Sequence, residues 1–470
     1  MPVRKDLPMS KPQKILEYIL GSLLAMLGTD YLLLGRLESI LAGTAWHWMP
    51  GLLRAVSPWL FLLLNLYPAL PLYRPAGYRL NVCNRGCNLL VIFAATTLIN
   101  VPLAAAGMGG LIPGVEPLTQ SSARFWLLHC LILLGAEALL FWNGILRVYL
   151  TSRQLGIRLR VIGILCGFIP IAHLIALFLI FRTASREVVF ESRKLRESRT
   201  HSLLLPCATR YPILMVHGVF FRDFRYFNYW GRIPQALETA GARIYYGNHQ
   251  SAASVADSGR ELADRILDIV EKTGCEKVNI IAHSKGGLDA RAALQLPGVA
   301  GHVASLTTVS TPHRGCEFAD YLLTRIPLRQ QQAVARAYNT ALSKLGDPNP
   351  DFLGAVTNLT ASFCQKFNQE NPDVPGVFYQ SVGSRLARAR GGRFPLNFTH
   401  MLCRHFDGPN DGLVGERSFP WGSAYQFLTL PSTRGISHGD MIDLNRENVP
   451  GFDVRDFYIQ LVQDLKKRGF

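Results

Sequence analysis

"IIAHSKGGLDAR", residues 280–291, is the stretch whose reading decides the fold. Its first letters close an apolar, β-branched run, "KVNII" (277–281), which reads as a buried strand. "GGLDARAALQL" follows and reads as a helix. A strand that turns at once into a helix, with Ser284 at the turn, holds the serine hydroxyl clear of the sheet as an accessible nucleophile. The two backbones nearly touch at such an elbow, so the residues two before and two after the serine must be small. They are Ala282 and Gly286, with Ala a mild departure from the more usual glycine. The bland alternative is a capping serine at an ordinary strand–helix junction.

The neighbouring motifs favour the elbow. "YPILMVHGVFFRD" (211–223) is a second apolar strand, and it ends in His217-Gly218. His217 is read as a packed buttress of the turn. Downstream lie "DGPNDGLVGERS" (407–418) and "GISHGDMIDL" (435–444). They place Asp411 and His438 after Ser284, the order in which α/β-hydrolases carry nucleophile, acid and base. In that arrangement His438 takes the serine proton, and Asp411 orients the ring and stabilises the imidazolium. Asp407, Asp440 and Asp443 compete for the acid role, and His405 competes for the base.

Six stretches in one order carry a family resemblance: "YPILMVHG", "YFNYWGRIPQALETAGARIYYGN", "KVNIIAHSKGG", "LTTVSTPHRGCEFADYL", "NDGLVG" and "SHGDMIDLN". Together they resemble the bacterial triacylglycerol lipases of the Pseudomonas and Burkholderia type, over residues 210–470. The resemblance implies Ser284, Asp411 and His438 as the catalytic triad. It also implies the backbone N–H groups of Val219 and Lys285 as oxyanion donors, each worth about 3 kcal/mol of barrier. The family holds a structural calcium, for which Asp440 matches one ligand. The second aspartate is expected in "SRLARARGGRFPLNF" (384–398), which contains no carboxylate. No cofactor is expected to be required.

Composition frames the rest. The chain has 470 residues, of which 49% are hydrophobic and only 17% charged. That bias sits before residue 182. Five runs are apolar enough and long enough for bilayer helices, which need roughly 20 residues. They are residues 15–35, 55–73, 86–115, 125–146 and 161–181. The expected architecture is an N-terminal transmembrane helical bundle (1–181), a charged connector (182–209) and a C-terminal α/β-hydrolase with a mostly parallel, doubly wound sheet (210–470). Residues 317–352 interrupt the core pattern and are a candidate lid.

Loop charges orient the bundle. Arg4, Lys5, Lys11 and Lys14 precede the first run, Arg74, Arg79 and Arg85 follow the second, and Arg147, Arg153, Arg158 and Arg160 follow the fourth. The first loop has only Arg36 and Arg54, and the third only Arg124. Five spans with the N terminus inside place the hydrolase in the periplasm of a bacterium, anchored in the inner membrane. The net charge of +16 lacks an aromatic binding platform, so lipid and not nucleic acid is the expected partner. The nine cysteines include no C-x-x-C pair and read as packed free thiols. Glu137, His129 and His173 lie inside the spans and read as interhelical hydrogen-bonding groups. The functional expectation is a membrane-anchored serine hydrolase of lipid or acyl esters. Two alternatives stand beside it: an acyltransferase using the same triad, and a membrane receptor or transport module with an inactive hydrolase scaffold. The sequence carries no signal of oligomeric state.

Overall fold

The computed structural model describes residues 11–41, 43–67, 75, 77–167, 169–219, 228–250, 252–344 and 349–470. Arg4 and Lys5, Phe220 to Asp223 of the second strand motif, and 345–348 of the candidate lid lie outside them. The chain divides into two compact units, Met1–Glu197 and Ser198–Phe470.

The first unit is helical: α1 (Lys11–Thr29), α2 (Tyr31–Leu41), α3 (Met49–Leu66), α4 (Tyr78–Met108), α5 (Ala123–Thr151), α6 (Gly156–Cys166) and α7 (Pro170–Leu204). Among the described residues three helices, α3, α4 and α5, are long and apolar enough to cross a membrane; α1 and α2, bent by 78°, make a fourth if they form one span. Five spans were expected, and the structure differs at the first and the fifth: residues 15–35 are broken at Asp30 between α1 and α2. Residues 161–181 are divided between α6 and α7. Gly167 ends α6, and Pro170, which lacks an N–H and suits only a first turn, starts a new helix.

Cross-helix contacts give the directions. Asn88 of α4 donates to Glu17 of α1, and Asn100 donates to Thr29, so α1 and α4 run side by side in the same sense. Asn143 and Arg147 of α5 bond the Asn65 carbonyl at the end of α3. His173 near the start of α7 packs on Phe141, while Glu187 further along binds Ser152 and Arg79. Helix α7 therefore runs in the same sense as α5. It begins beside the middle of α5 and reaches the end where α5 stops. Glu137 accepts from Thr96, Thr97 and Asn100, the interhelical hydrogen bonding expected of it. All nine cysteines are free thiols.

The second unit carries six parallel strands in the order β2-β1-β3-β4-β5-β6. They are β1 (Ile213–Val216), β2 (Ile244–Tyr246), β3 (Val278–His283), β4 (Val303–Val309), β5 (Phe378–Ser384) and β6 (Ala424–Leu428). Every residue of β1, β3 and β4 is buried, as parallel strands covered on both faces must be. Nine helices complete the described part: α8 (Ile233–Thr239), α9 (Val255–Thr273), α10 (Gly286–Leu294), α11 (Glu317–Arg325), α12 (Leu328–Lys344), α13 (Phe352–Thr357), α14 (Ala361–Glu370), α15 (Leu396–Phe406) and α16 (Val454–Lys467). Two core clusters lie on opposite faces of the sheet. Alternate β3 residues feed them, with Ile281 on the α8–α16 side and Ile280 and Ala282 on the α9–α10 side. Helix α9 shows why its sequence folds locally. Ser254 caps its start, accepting from Asp257 N at 3.1 Å, a contact worth about 1 kcal/mol. Leu262, Ile266 and Ile269 form the buried stripe, and Gly274 closes the helix at φ +67°. The candidate lid region is helical: α11, α12 and α13. Leu328, Val334 and Tyr338 of α12 are exposed.

Candidate active site

The strand order reverses between β1 and β3, and a doubly wound sheet opens its ligand crevice at such a point, beyond the strand C-termini. There β3 ends at His283, and Ser284 turns directly into α10. Ser284 has φ +56°, a strained value for a residue with a side chain. The elbow also explains its small neighbours. A Cβ on Gly286 would stand 2.4 Å from the carbonyl oxygen of His217, so β1 leaves no room there for any side chain. The Ser284 backbone is pinned at both ends. Its N–H donates to Val309 O at 2.9 Å, and its carbonyl accepts from Thr311 Oγ1 at 2.8 Å.

The loop after β1 lies against the serine. A Cβ on Gly218 would meet Ser284 Cβ at 2.9 Å. Gly218 N–H donates to Tyr229 Oη at 3.0 Å, and that hydroxyl contacts His283 Nδ1 at 2.7 Å. Val219 follows Gly218 directly, and Lys285 heads α10.

The structure brings Asp411 and His438 together. His438 Nδ1 lies 2.8 Å from Asp411 Oδ2, and His438 N–H donates to the Asp411 carbonyl, also at 2.8 Å. The other carboxylate oxygen, Oδ1, accepts from the N–H groups of Leu413 and Val414 at 3.0 and 2.9 Å. Asp411 is fully buried and cannot swing away from the imidazole. The His438 ring packs 4.5 Å from that of His283, the residue before the nucleophile. Among the described residues the Ser284 hydroxyl makes no hydrogen bond; such contacts in a free enzyme often form only with substrate bound.

The competitors have other work. Asp407 accepts from Glu317 N and Phe318 N at the start of α11, and burial raises its carboxyl pKa. Asp443 binds the Arg232 guanidinium through both oxygens. His405 is exposed and packs edge-on to Phe406. Several supporting residues escaped sequence reasoning: Tyr229, His283, Thr311, His249 and Asp289. Tyr229 and His283 sit inside conspicuous motifs, but nothing in the letters shows that they touch.

Asp440 does not suit calcium. Both of its oxygens are taken by Arg434, at 2.7 and 3.1 Å, and Oδ2 also accepts Ser437 N–H. Arg434 reaches on to Glu447 at 3.2 Å, and Arg393 binds the same carboxylate. A guanidinium therefore occupies the face that a cation would need. Among the described residues no group of three or more His, Cys, Asp or Glu side chains is arranged to hold a metal ion.

A serine on a strained turn at the switch point of a parallel sheet, with an Asp–His pair on loops after later strands, defines an α/β-hydrolase. The profile of the α/β hydrolase fold matches residues 211–380. More particularly, the chain belongs to the triacylglycerol lipase family. It is 31% identical to a triacylglycerol lipase of Pseudomonas fragi over 297 residues, covering 56% of this chain and 98% of that one. It is 35% identical over 180 residues to a triacylglycerol lipase of Pseudarthrobacter phenanthrenivorans, covering 36% of this chain but only 56% of that relative. A Staphylococcus hyicus lipase structure aligns over 55% of this chain and 97% of its own, with 19% identity and a TM-score of 0.44.

Proposed function

We propose that this protein is a membrane-bound serine hydrolase of carboxylic esters, acting on lipid or acyl-ester substrates. The observation that carries the reading is the buried Asp411–His438 pair packed on His283, the residue directly before a strained Ser284. His438 Nε2 takes the Ser284 proton as Oγ bonds to the ester carbonyl carbon. The carbonyl electrons move to oxygen, where the Val219 and Lys285 N–H groups meet the developing charge. The C–O bond to the alcohol breaks, and the alcohol leaves with the proton from His438. Water then attacks the acyl-enzyme by the same path and releases the acid. The names of the relatives support lipid esters as the substrate class. Screening the purified protein against esters of graded chain length tests this. Release of free acid is the expected result. Acyl transfer to an added alcohol with no acid formed would replace hydrolase by acyltransferase.

The helix directions of the N-terminal unit support a sidedness different from the one the loop charges suggest. The start of α1, the start of α4 and the ends of α3 and α5 share one face. That face carries Lys14, Arg79, Arg85 and Arg147, and basic loops stay in the cytoplasm. Helix α7 leaves at the same face, so α6 and the first turns of α7 read as a re-entrant hairpin. Four spans and this hairpin return the chain to its side of entry, and we place the hydrolase in the cytoplasm instead of the periplasm. Fusions after Phe470 decide it. A reporter active only in the cytoplasm should give signal, and one active only in the periplasm should be silent; the reverse pattern restores the five-span topology.

Arg434 braces Asp440 where the family resemblance implies a calcium, in our reading. Chelation should therefore leave the melting temperature within about 1 °C. Arg434→Ala should cost about 1–3 kcal/mol, because it strips a partner from a buried carboxylate. A large chelator-induced loss that calcium restores would contradict this.

A further inference from the structure

Beneath the two oxyanion donors runs a buried chain of polar groups that ester chemistry does not itself use. The Lys285 side chain is fully buried, and its Nζ donates to Asp289 Oδ1 at 2.6 Å and to Ser258 Oγ at 3.2 Å. The other Asp289 oxygen lies 3.6 Å from His249 Nε2. The His249 ring stacks on that of His217, with centroids 4.0 Å apart and planes 7° from parallel. His217 in turn contacts two carbonyl oxygens, His249 O through Nε2 at 3.1 Å and Gly218 O through Nδ1 at 2.9 Å. Burial opposes charge at two of these groups. It pushes Asp289 up to about 6 despite Lys285, and it drives His217 down to about 3. Taking an ammonium and a carboxylate out of water is costly, and an apolar pair in their place would often stabilise the fold better.

The geometry gives the cluster a use. The peptide joining Gly218 to Val219 is trans. In a trans peptide the C=O and the following N–H point in opposite directions. Neutral His217 carries one ring proton; in the tautomer that places it on Nδ1, donating to Gly218 O, it turns Val219 N–H away from His217 and holds the peptide against flipping. On the other side, the Lys285 side chain anchors the residue that carries the second donor. Asp289 touches both arms. We propose that Asp289 is a positioning residue that couples the two halves of the oxyanion hole: one carboxylate oxygen holds Lys285, and the other faces the His249–His217 stack that fixes the Val219 peptide. This rests on the ester-hydrolase reading of the same site.

The test uses the full chain in detergent or nanodiscs with a soluble short-chain p-nitrophenyl ester. Loss of one oxyanion donor costs about 10²–10³ in kcat, so a misdirected donor in Asp289→Asn should lower kcat by about 10- to 100-fold while KM moves less than about twofold. Affinity for a trifluoromethyl ketone, which adds Ser284 and places an oxyanion in the hole, should fall by the same factor. A purely structural role would lower the melting temperature and leave both readouts in place. Asp289→Asn also strands a buried ammonium, so Lys285→Met/Asp289→Asn is made alongside it. The double variant should recover the melting temperature and keep the losses in kcat and ketone affinity. Wild-type kcat and ketone affinity in either folded variant would overturn the proposal, as would a rise in KM at unchanged kcat. If the wild-type protein neither cleaves the ester nor binds the ketone, the hydrolase reading itself has failed; an active wild type with equally active variants sinks the coupling alone.

Discussion

Ser284→Ala should leave about one millionth of the wild-type kcat toward any carboxylic ester, with the fold intact. The substitution removes a single oxygen from a side chain whose hydroxyl bonds no other described group, so stability should hardly change. The strain of φ +56° stays in the backbone, because alanine meets the same steric limits there. His438→Ala should cost nearly as much, since nucleophile and base act as one unit and removing either disables both. The fold should tolerate that loss less well. His438 packs against His283 and leaves the buried Asp411 carboxylate without its partner when removed. Turnover is read with a chromogenic ester, and the melting temperature separates lost chemistry from lost structure. A Ser284→Ala protein that kept more than a few per cent of wild-type activity would mean that another nucleophile does the work.

Asp411→Asn should reduce kcat by about 10³- to 10⁴-fold while the protein stays folded. The reason lies in the donors around the carboxylate. Oδ1 receives the N–H groups of Leu413 and Val414, so an asparagine oxygen settles there and its NH₂ faces His438. Imidazole Nδ1 must then accept instead of donate, which puts the proton on Nε2, where the serine proton has to go. Asp407→Asn is the control. Its carboxylate caps α11 and touches no part of the Asp–His pair, so only a small stability change is expected. A near-normal rate in Asp411→Asn, together with a collapse in Asp407→Asn, would reassign the acid.

The elbow was legible because sterics write it into four letters: a small residue, a serine and two glycines between a strand and a helix. The contact of Gly286 with His217 O is the physical form of that constraint. Asp411 and His438 were legible through chain order and the family resemblance, and chain order by itself could not rank Asp411 above Asp407. What separates them is the 2.8 Å contact of Asp411 Oδ2 with His438 Nδ1, made from a loop whose path no periodicity encodes. The partner of Asp440 was hidden for a related reason. Arg434 lies six residues before Asp440 in a stretch that reads as loop, and only folding brings its guanidinium onto both carboxylate oxygens. In the N-terminal unit, hydropathy found the apolar stretches but took 15–35 and 161–181 as one helix each. Hydropathy counts apolar letters and is blind to direction; Gly167 and Pro170 were the available signal of a break. Least legible were His249 and Asp289, forty residues apart in the chain and 3.6 Å apart in space.

The most direct test of the account is to treat membranes containing the full chain with a fluorophosphonate probe and map the modified peptide by mass spectrometry. Such a probe phosphonylates only a serine whose hydroxyl is activated by a base and whose adduct is held by oxyanion donors. The account predicts one adduct, on Ser284, absent from Ser284→Ala and strongly reduced in His438→Ala. An intact, folded protein that takes up no probe, or an adduct on a different serine, would contradict it.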